Sequence, residues 1–145
     1  MKIIIGADHG GYELKNSISE WLKSKNYEIK DIGVFTSDSV DYPDISKTVG
    51  EAVSKGDYDR GILVCGSGVG VNIAVNKIKG IRSTHCHDTV IARLSREHND
   101  TNVITMGGRF IAKELAQEIL DIWLKTEFLG GRHQNRVNKI SEMEE

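Results

Sequence analysis

Long apolar runs are what this sequence most lacks. Its opening stretch, MKIIIGADHGG, holds three consecutive isoleucines before Gly6 and Asp8. That is too short for the apolar core of a secretory leader, and nothing later approaches the roughly 20 residues that cross a membrane as a helix. Cysteine occurs twice, at Cys65 and Cys86, with no CxxC pair and no zinc-finger spacing. Neither a disulfide framework nor a structural zinc is indicated, and the thiols are expected to be reduced in a cytoplasmic chain. An excess of charge is missing too: 19 Lys and Arg against 21 Asp and Glu leave a formal net charge of -2. No global basic field draws the chain to nucleic acid or to a membrane. Proline occurs once, at Pro43, and no repeat or low-complexity linker divides the chain.

What is present fits one domain: 145 residues with 39% apolar and 28% charged, enough to bury a core without staples. Lys2 to Ile5 reads as a first strand, followed by a helix over Gly11 to Lys25 in which Leu14, Ile18, Trp21 and Leu22 recur at helical spacing. Tyr27 to Ile32 reads as a second strand. A polar connection then leads to a helix capped by Asp44, with Ile45, Val49, Ala52 and Val53 on one face. The run GILV, from Gly61 to Val64, is continuously apolar, as a strand covered on both faces should be. Further pairs follow: a helix over Val69 to Lys77, a strand over Ile81 to Cys86, a helix capped by Asp88 and a strand over Asn102 to Met106. A periodic helix spans Ile111 to Leu124, and a last one begins near Arg132. Strictly alternating strands and helices predict a single Rossmann-like three-layer α/β domain: a five-stranded parallel sheet with helices on both faces. In such sheets ligands bind beyond the carboxyl ends of the strands.

Those ends are polar. They read Asp8-His9-Gly10-Gly11, then Cys65-Gly66-Ser67-Gly68-Val69-Gly70, then His85-Cys86-His87-Asp88, then Gly107-Gly108-Arg109. The alternating glycines lack the GK[ST] of a P-loop and the GxGxxG of a dinucleotide fold. Alone they fit a tight turn as well as an anion cradle. Cys65 at the lip of the loop is read as a small hydrophobe, or as a base or nucleophile beside a row of N–H donors that stabilise a thiolate. Cys86 is read as packing. Asp8 and His9 suit a satisfied turn, a metal site or acid–base work. His85 and His87 should share one face of a strand and Cys86 the other, which argues against convergence on a metal. Arg132 and Arg136 stand one helical turn apart, either as a solvated basic face or as a guanidinium clamp on a phosphate. Nothing nearby in the sequence neutralises them before the acidic tail at Glu142, Glu144 and Glu145.

Five stretches in order, GADHGG from Gly6, DYPD from Asp41, VCGSGVGVNIAVNK from Val64, SREHNDTNV from Ser95 and GGRHQNRV from Gly130, resemble the type B ribose-5-phosphate isomerases. That family also contains allose- and galactose-6-phosphate isomerases. The resemblance spans essentially the whole chain. It implies interconversion of ribose 5-phosphate and ribulose 5-phosphate in the pentose phosphate pathway, through an enediolate, with no metal and no organic cofactor. Carried onto this sequence, Cys65 is the base, and the N–H groups of Gly66, Ser67, Gly68, Val69 and Gly70 hold the enediolate oxygens. His98 opens the sugar ring with help from Asp8. Arg132, Arg136 and His9 hold the phosphate, and Asn99 and Arg109 complete the sugar site. Ser67 stands where the family commonly has threonine; it keeps the hydroxyl, for a relay or a hydrogen bond to the sugar, and loses the methyl that limits its rotamers. The family works as a homodimer or a dimer of dimers, with sites shared between subunits. A six-carbon phosphosugar isomerase, a non-catalytic phosphosugar-binding module and, more remotely, a metal-dependent hydrolase remain the competing readings.

Overall fold

A computed structural model describes residues 1–144; Glu145, the last of the acidic tail, lies outside the described residues. Eleven elements follow one another: β1 (Lys2–Ala7), α1 (Tyr12–Ser24), β2 (Glu28–Asp31), α2 (Tyr42–Ser54), β3 (Arg60–Cys65), α3 (Val69–Val75), β4 (Ser83–His85), α4 (Thr89–Asn99), β5 (Val103–Gly107), α5 (Lys113–Lys125) and α6 (Arg132–Glu142). The five strands form one parallel sheet in the order β2-β1-β3-β5-β4. The α/β reading of the sequence is therefore the observed fold.

Period-two alternation divides the strand side chains between two cores. Ile3, Ile5, Ile62, Val64, Ile104 and Met106 pack with α1, α4 and α5, around the fully buried Trp123. Ile4, Leu63, Cys65 and Val103 pack with α2 and α3, through Val49, Val53, Val71 and Val75. Burial of each such aliphatic side chain contributes about 1.5–3 kcal/mol. Cys65 and Cys86 fall into opposite cores and remain free thiols.

Several boundaries differ from the sequence reading for physical reasons. The helix expected to be capped by Asp44 starts earlier, at Tyr42 after Asp41, and takes Pro43 into its first turn, where a missing N–H costs no intrahelical bond. β1 and β3 run to Ala7 and Cys65, because their neighbours continue to pair with them. β4 is shorter than expected and ends at His85, which leaves His87 beyond it. The Asp88 cap forms as expected: its side chain accepts from the Ile91 N–H at 2.7 Å.

The strand order fixes the crevice. β1 hands the chain to α1 on one face, whereas its neighbour β3 hands it to α3 on the other. The two outgoing loops diverge, and the gap between the carboxyl ends of β1 and β3 is the switch point at which such sheets take ligands.

Candidate functional site

Three loops meet at that gap. The turn after β1 is tied by Asp8, whose Oδ1 accepts from the Gly10 N–H at 2.9 Å, while the Asp8 N–H donates to the Val64 carbonyl at 3.2 Å. A side chain on Gly10 would lie 2.9 Å from the Gly66 nitrogen, and one on Gly108 would lie 3.0 Å from the Gly10 carbonyl. The loops after β1, β3 and β5 thus pack backbone to backbone, and glycine is what permits it.

Within this cluster Cys65 is the last residue of β3, 5% exposed. Its Sγ accepts a hydrogen bond from the Gly68 N–H at 3.0 Å. Gly68 makes that turn with φ +81°, in the left-handed region that a side chain disfavours. The Val69 N–H donates to Ser67 Oγ at 3.2 Å. Arg109 lies against the loop: its N–H donates to the Gly66 carbonyl at 3.1 Å, and its guanidinium covers the Gly66 α-carbon. His9 accepts from the Val40 N–H through Nδ1 at 3.4 Å, which leaves Nε2 to carry the proton. His9, Ser37 and Arg109 line a cleft of about 410 Å³. Structure therefore brings together Asp8, His9, Cys65, the residues from Gly66 to Gly70, and Arg109.

It does not bring the remaining candidates to them within one chain. α4 leaves the carboxyl end of β4 and runs back to the amino end of β5, about 16 Å over its 11 residues. His98 and Asn99 sit on its last turn. Arg82, just before β4, donates through Nε to the Asn99 carbonyl at 2.9 Å, which fixes that turn at the amino ends of the strands. Asn99 lines a larger cleft there, about 640 Å³, with Asn76, Lys77 and Arg82. α6 joins the same end, and its first two turns carry Arg132 and Arg136 at the expected helical spacing. Neither arginine forms an ion pair among the described residues. Within a single chain the candidates thus form two clusters at opposite ends of the sheet.

Three residues escaped the sequence reading. His133 stacks on His98, ring centroids 4.3 Å apart and planes 13° from parallel. Burial, then His98, Arg132 and Arg136 beside it, push the His133 imidazole below its usual range. The stretch GGRHQNRV contains it, but only the tertiary packing of α6 on α4 shows the stack. Tyr42 lies with its ring against Gly70, where a side chain would come within 2.7 Å of it; the DYPD stretch was the available signal. Thr105, fully buried in β5, bonds beneath the glycine loop, and no signal in the sequence marks it. As expected, His85 and His87 share a side, with ring centroids 4.6 Å apart, while Cys86 packs in the other core. Burial and the neighbouring His87 push the His85 imidazole below its usual range.

Fold and site together define a doubly wound α/β protein with a buried thiol facing backbone donors at its switch point and an imidazole–guanidinium cluster at the other end of its sheet. The Ribose/Galactose Isomerase family pattern matches residues 3–140, and the chain belongs to that family. It is 46% identical over 144 residues to ribose-5-phosphate isomerase B of Escherichia coli (strain K12), covering 99% of this chain and 97% of that one. The solved structure of ribose-5-phosphate isomerase B from Clostridium thermocellum is 53% identical, with a TM-score of 0.98 over 99% of this chain and 97% of that one. Ribose-5-phosphate isomerase B from Mycoplasma genitalium, solved with bound ribulose-5-phosphate, is 42% identical, with a TM-score of 0.94 over 99% and 95%.

Proposed function

We propose that this chain is an aldose–ketose isomerase that interconverts ribose 5-phosphate and ribulose 5-phosphate, a step of the pentose phosphate pathway, with Cys65 as its base. The observation that carries the reading is the Cys65 sulfur, aligned on the Gly68 N–H at 3.0 Å within a loop of backbone donors. Full-length likeness to the isomerases named above supports it.

Enolisation needs a base at the carbon next to the carbonyl and donors where negative charge develops. The Cys65 thiolate takes the C2 proton of the open-chain aldose. The C2 electrons form a C1–C2 double bond, and the carbonyl electrons go to O1. N–H groups from Gly66 to Gly70 receive the enediolate oxygens. Ser67, its Oγ held by the Val69 N–H, passes a proton between O2 and O1. Cys65 then returns its proton to C1, and a ketone stands at C2.

His98, with Asp8, opens the furanose ring before this step. Arg132, Arg136 and His9 hold the phosphate, and Asn99 and Arg109 bind the sugar hydroxyls. Binding energy at the unreactive phosphate thereby positions the reacting carbons. Because His98, Asn99, Arg132 and Arg136 lie at the far end of the sheet from Cys65, a second copy of the chain supplies them, and the working unit is a homodimer or a dimer of dimers. A parallel assay of ribose 5-phosphate and allose 6-phosphate, with chelator present, tests the reading. Preferential turnover of the five-carbon substrate is expected; preferential turnover of allose 6-phosphate transfers the assignment to the six-carbon branch, and turnover of neither removes it.

A further inference from the structure

A threonine in the middle of a central, fully covered strand is out of place unless its hydroxyl is used. Thr105 stands on the β5 face shared with Val103 and Gly107, fully buried, and pairs with both Leu63 and His85 across the sheet. Its Oγ1 donates to the Gly68 carbonyl at 2.9 Å. Carbonyls only accept, so the hydroxyl proton is committed there, and the 3.2 Å contact with His85 Nδ1 is a bond that Thr105 accepts. His85 is thereby fixed as the Nδ1–H tautomer. The imidazole also lies under the Gly68 α-carbon, where a side chain would meet its Cε1 at 2.6 Å.

The Gly68 carbonyl belongs to the peptide whose other end is the Val69 N–H, the donor to Ser67 Oγ at 3.2 Å. Holding that carbonyl orients the peptide as a unit. It also holds Gly68 in the left-handed conformation that turns its own N–H onto Cys65 Sγ at 3.0 Å. We propose that Thr105, backed by His85, is a positioning residue that sets the Gly68–Val69 peptide and through it aims the Ser67 hydroxyl and the Gly68 N–H. The roles of Ser67 and Cys65 rest on the isomerase reading above. Thr105 itself touches no substrate.

The test is a double-mutant cycle between Thr105→Val, which keeps the shape and deletes the hydroxyl, and Ser67→Ala. Steady-state constants for ribose 5-phosphate are read alongside the rate at which iodoacetamide alkylates Cys65, followed by peptide mass spectrometry. Thr105→Val is expected to lower kcat about tenfold with KM nearly unchanged, and to lower kcat only about twofold in the Ser67→Ala background. It also slows alkylation of Cys65, a readout that needs no turnover. Thr105→Ser restores both quantities. Should Thr105→Val fail to fold, His85→Phe, which removes the donor behind the threonine, carries the same expectation in smaller measure. Equal losses in both backgrounds, a Thr105→Ser variant as impaired as Thr105→Val, or an unchanged alkylation rate would overturn the proposal. Slowed alkylation in a protein whose wild type turns over no phosphosugar would instead sustain the positioning role and remove the isomerase reading.

Discussion

His98 and His133 stack face to face, their ring centroids 4.3 Å apart and their planes 13° from parallel. Two imidazoles so placed cannot both carry a proton cheaply, and burial together with Arg132 and Arg136 already disfavours the charged form of His133. In the unfolded chain His133 binds its proton near pH 6.5; in the folded chain it binds only at lower pH. Between those values the unfolded state holds more protons, so stability rises with pH through that window. His133 therefore contributes full stability above about pH 6.5 and loses it as pH falls through the lowered folded value. Melting temperatures from about pH 5 to about pH 7.5 should fall more steeply toward acid for the wild type than for His133→Phe. Parallel curves would refute the assignment.

The two clusters at opposite ends of one sheet give a complementation prediction. Cys65→Ala and His98→Ala proteins should each be nearly inactive alone. Mixing after partial denaturation and refolding should restore activity, because under the proposed shared-site dimer a mixed pair holds one site with both groups intact. About a quarter of wild-type activity is expected from random pairing, since half of the dimers are mixed and each has one good site. No recovery from proteins shown to exchange subunits would mean that each chain completes its own site.

Gly107 pairs with Cys65 across the sheet, and a side chain on it would lie 2.5 Å from the Ser67 carbonyl, which is backbone and cannot swing aside. Gly107→Ala should cost about 1–3 kcal/mol of stability through overpacking. It should also displace the Ser67–Gly68 turn and lower kcat. Denaturant unfolding and steady-state kinetics measure both; a variant matching the wild type in each would show that the contact relaxes freely.

Lys15 is fully buried, and its ammonium lies 2.9 and 3.0 Å from the two Asp31 carboxylate oxygens. Asp31 also accepts from Ser19 Oγ and the Gly33 N–H, and Phe35 lies over the ammonium at 4.4 Å. Lys15→Met leaves the carboxylate without its cation and should cost about 3 kcal/mol. It should also loosen the segment from Gly33 to Asp41 that borders the His9 cleft. Hydrogen exchange in that segment, with urea unfolding of the whole chain, checks it; a loss below about 1 kcal/mol would show the pair to be dispensable.

Alternation of strand and helix, and the continuously apolar GILV run, made the sheet legible, because burial on both faces leaves a composition that local sequence records. The strand-end residues Asp8, His9, Cys65 and Arg109 were legible for the same reason: a parallel sheet sends every carboxyl end to one side. That His98 lies at the other side follows from the direction of α4, which was implicit in the strand order but not in residue spacing. The His98–His133 stack and the bond from Thr105 to the Gly68 carbonyl depend on how α6 meets α4 and how β5 lies under the glycine loop. Such contacts join residues remote in sequence, so no local pattern announces them.

The most direct test of the account follows ribose 5-phosphate in deuterated water by proton NMR, with wild-type protein and with Cys65→Ala. The wild type should form ribulose 5-phosphate with solvent deuterium on C1 only to the extent that the Cys65 thiol exchanges with solvent before it gives its proton to C1. The variant should still bind the phosphosugar but convert it at least ~10²-fold more slowly. Conversion by Cys65→Ala within about tenfold of the wild type would place the base elsewhere and contradict the account.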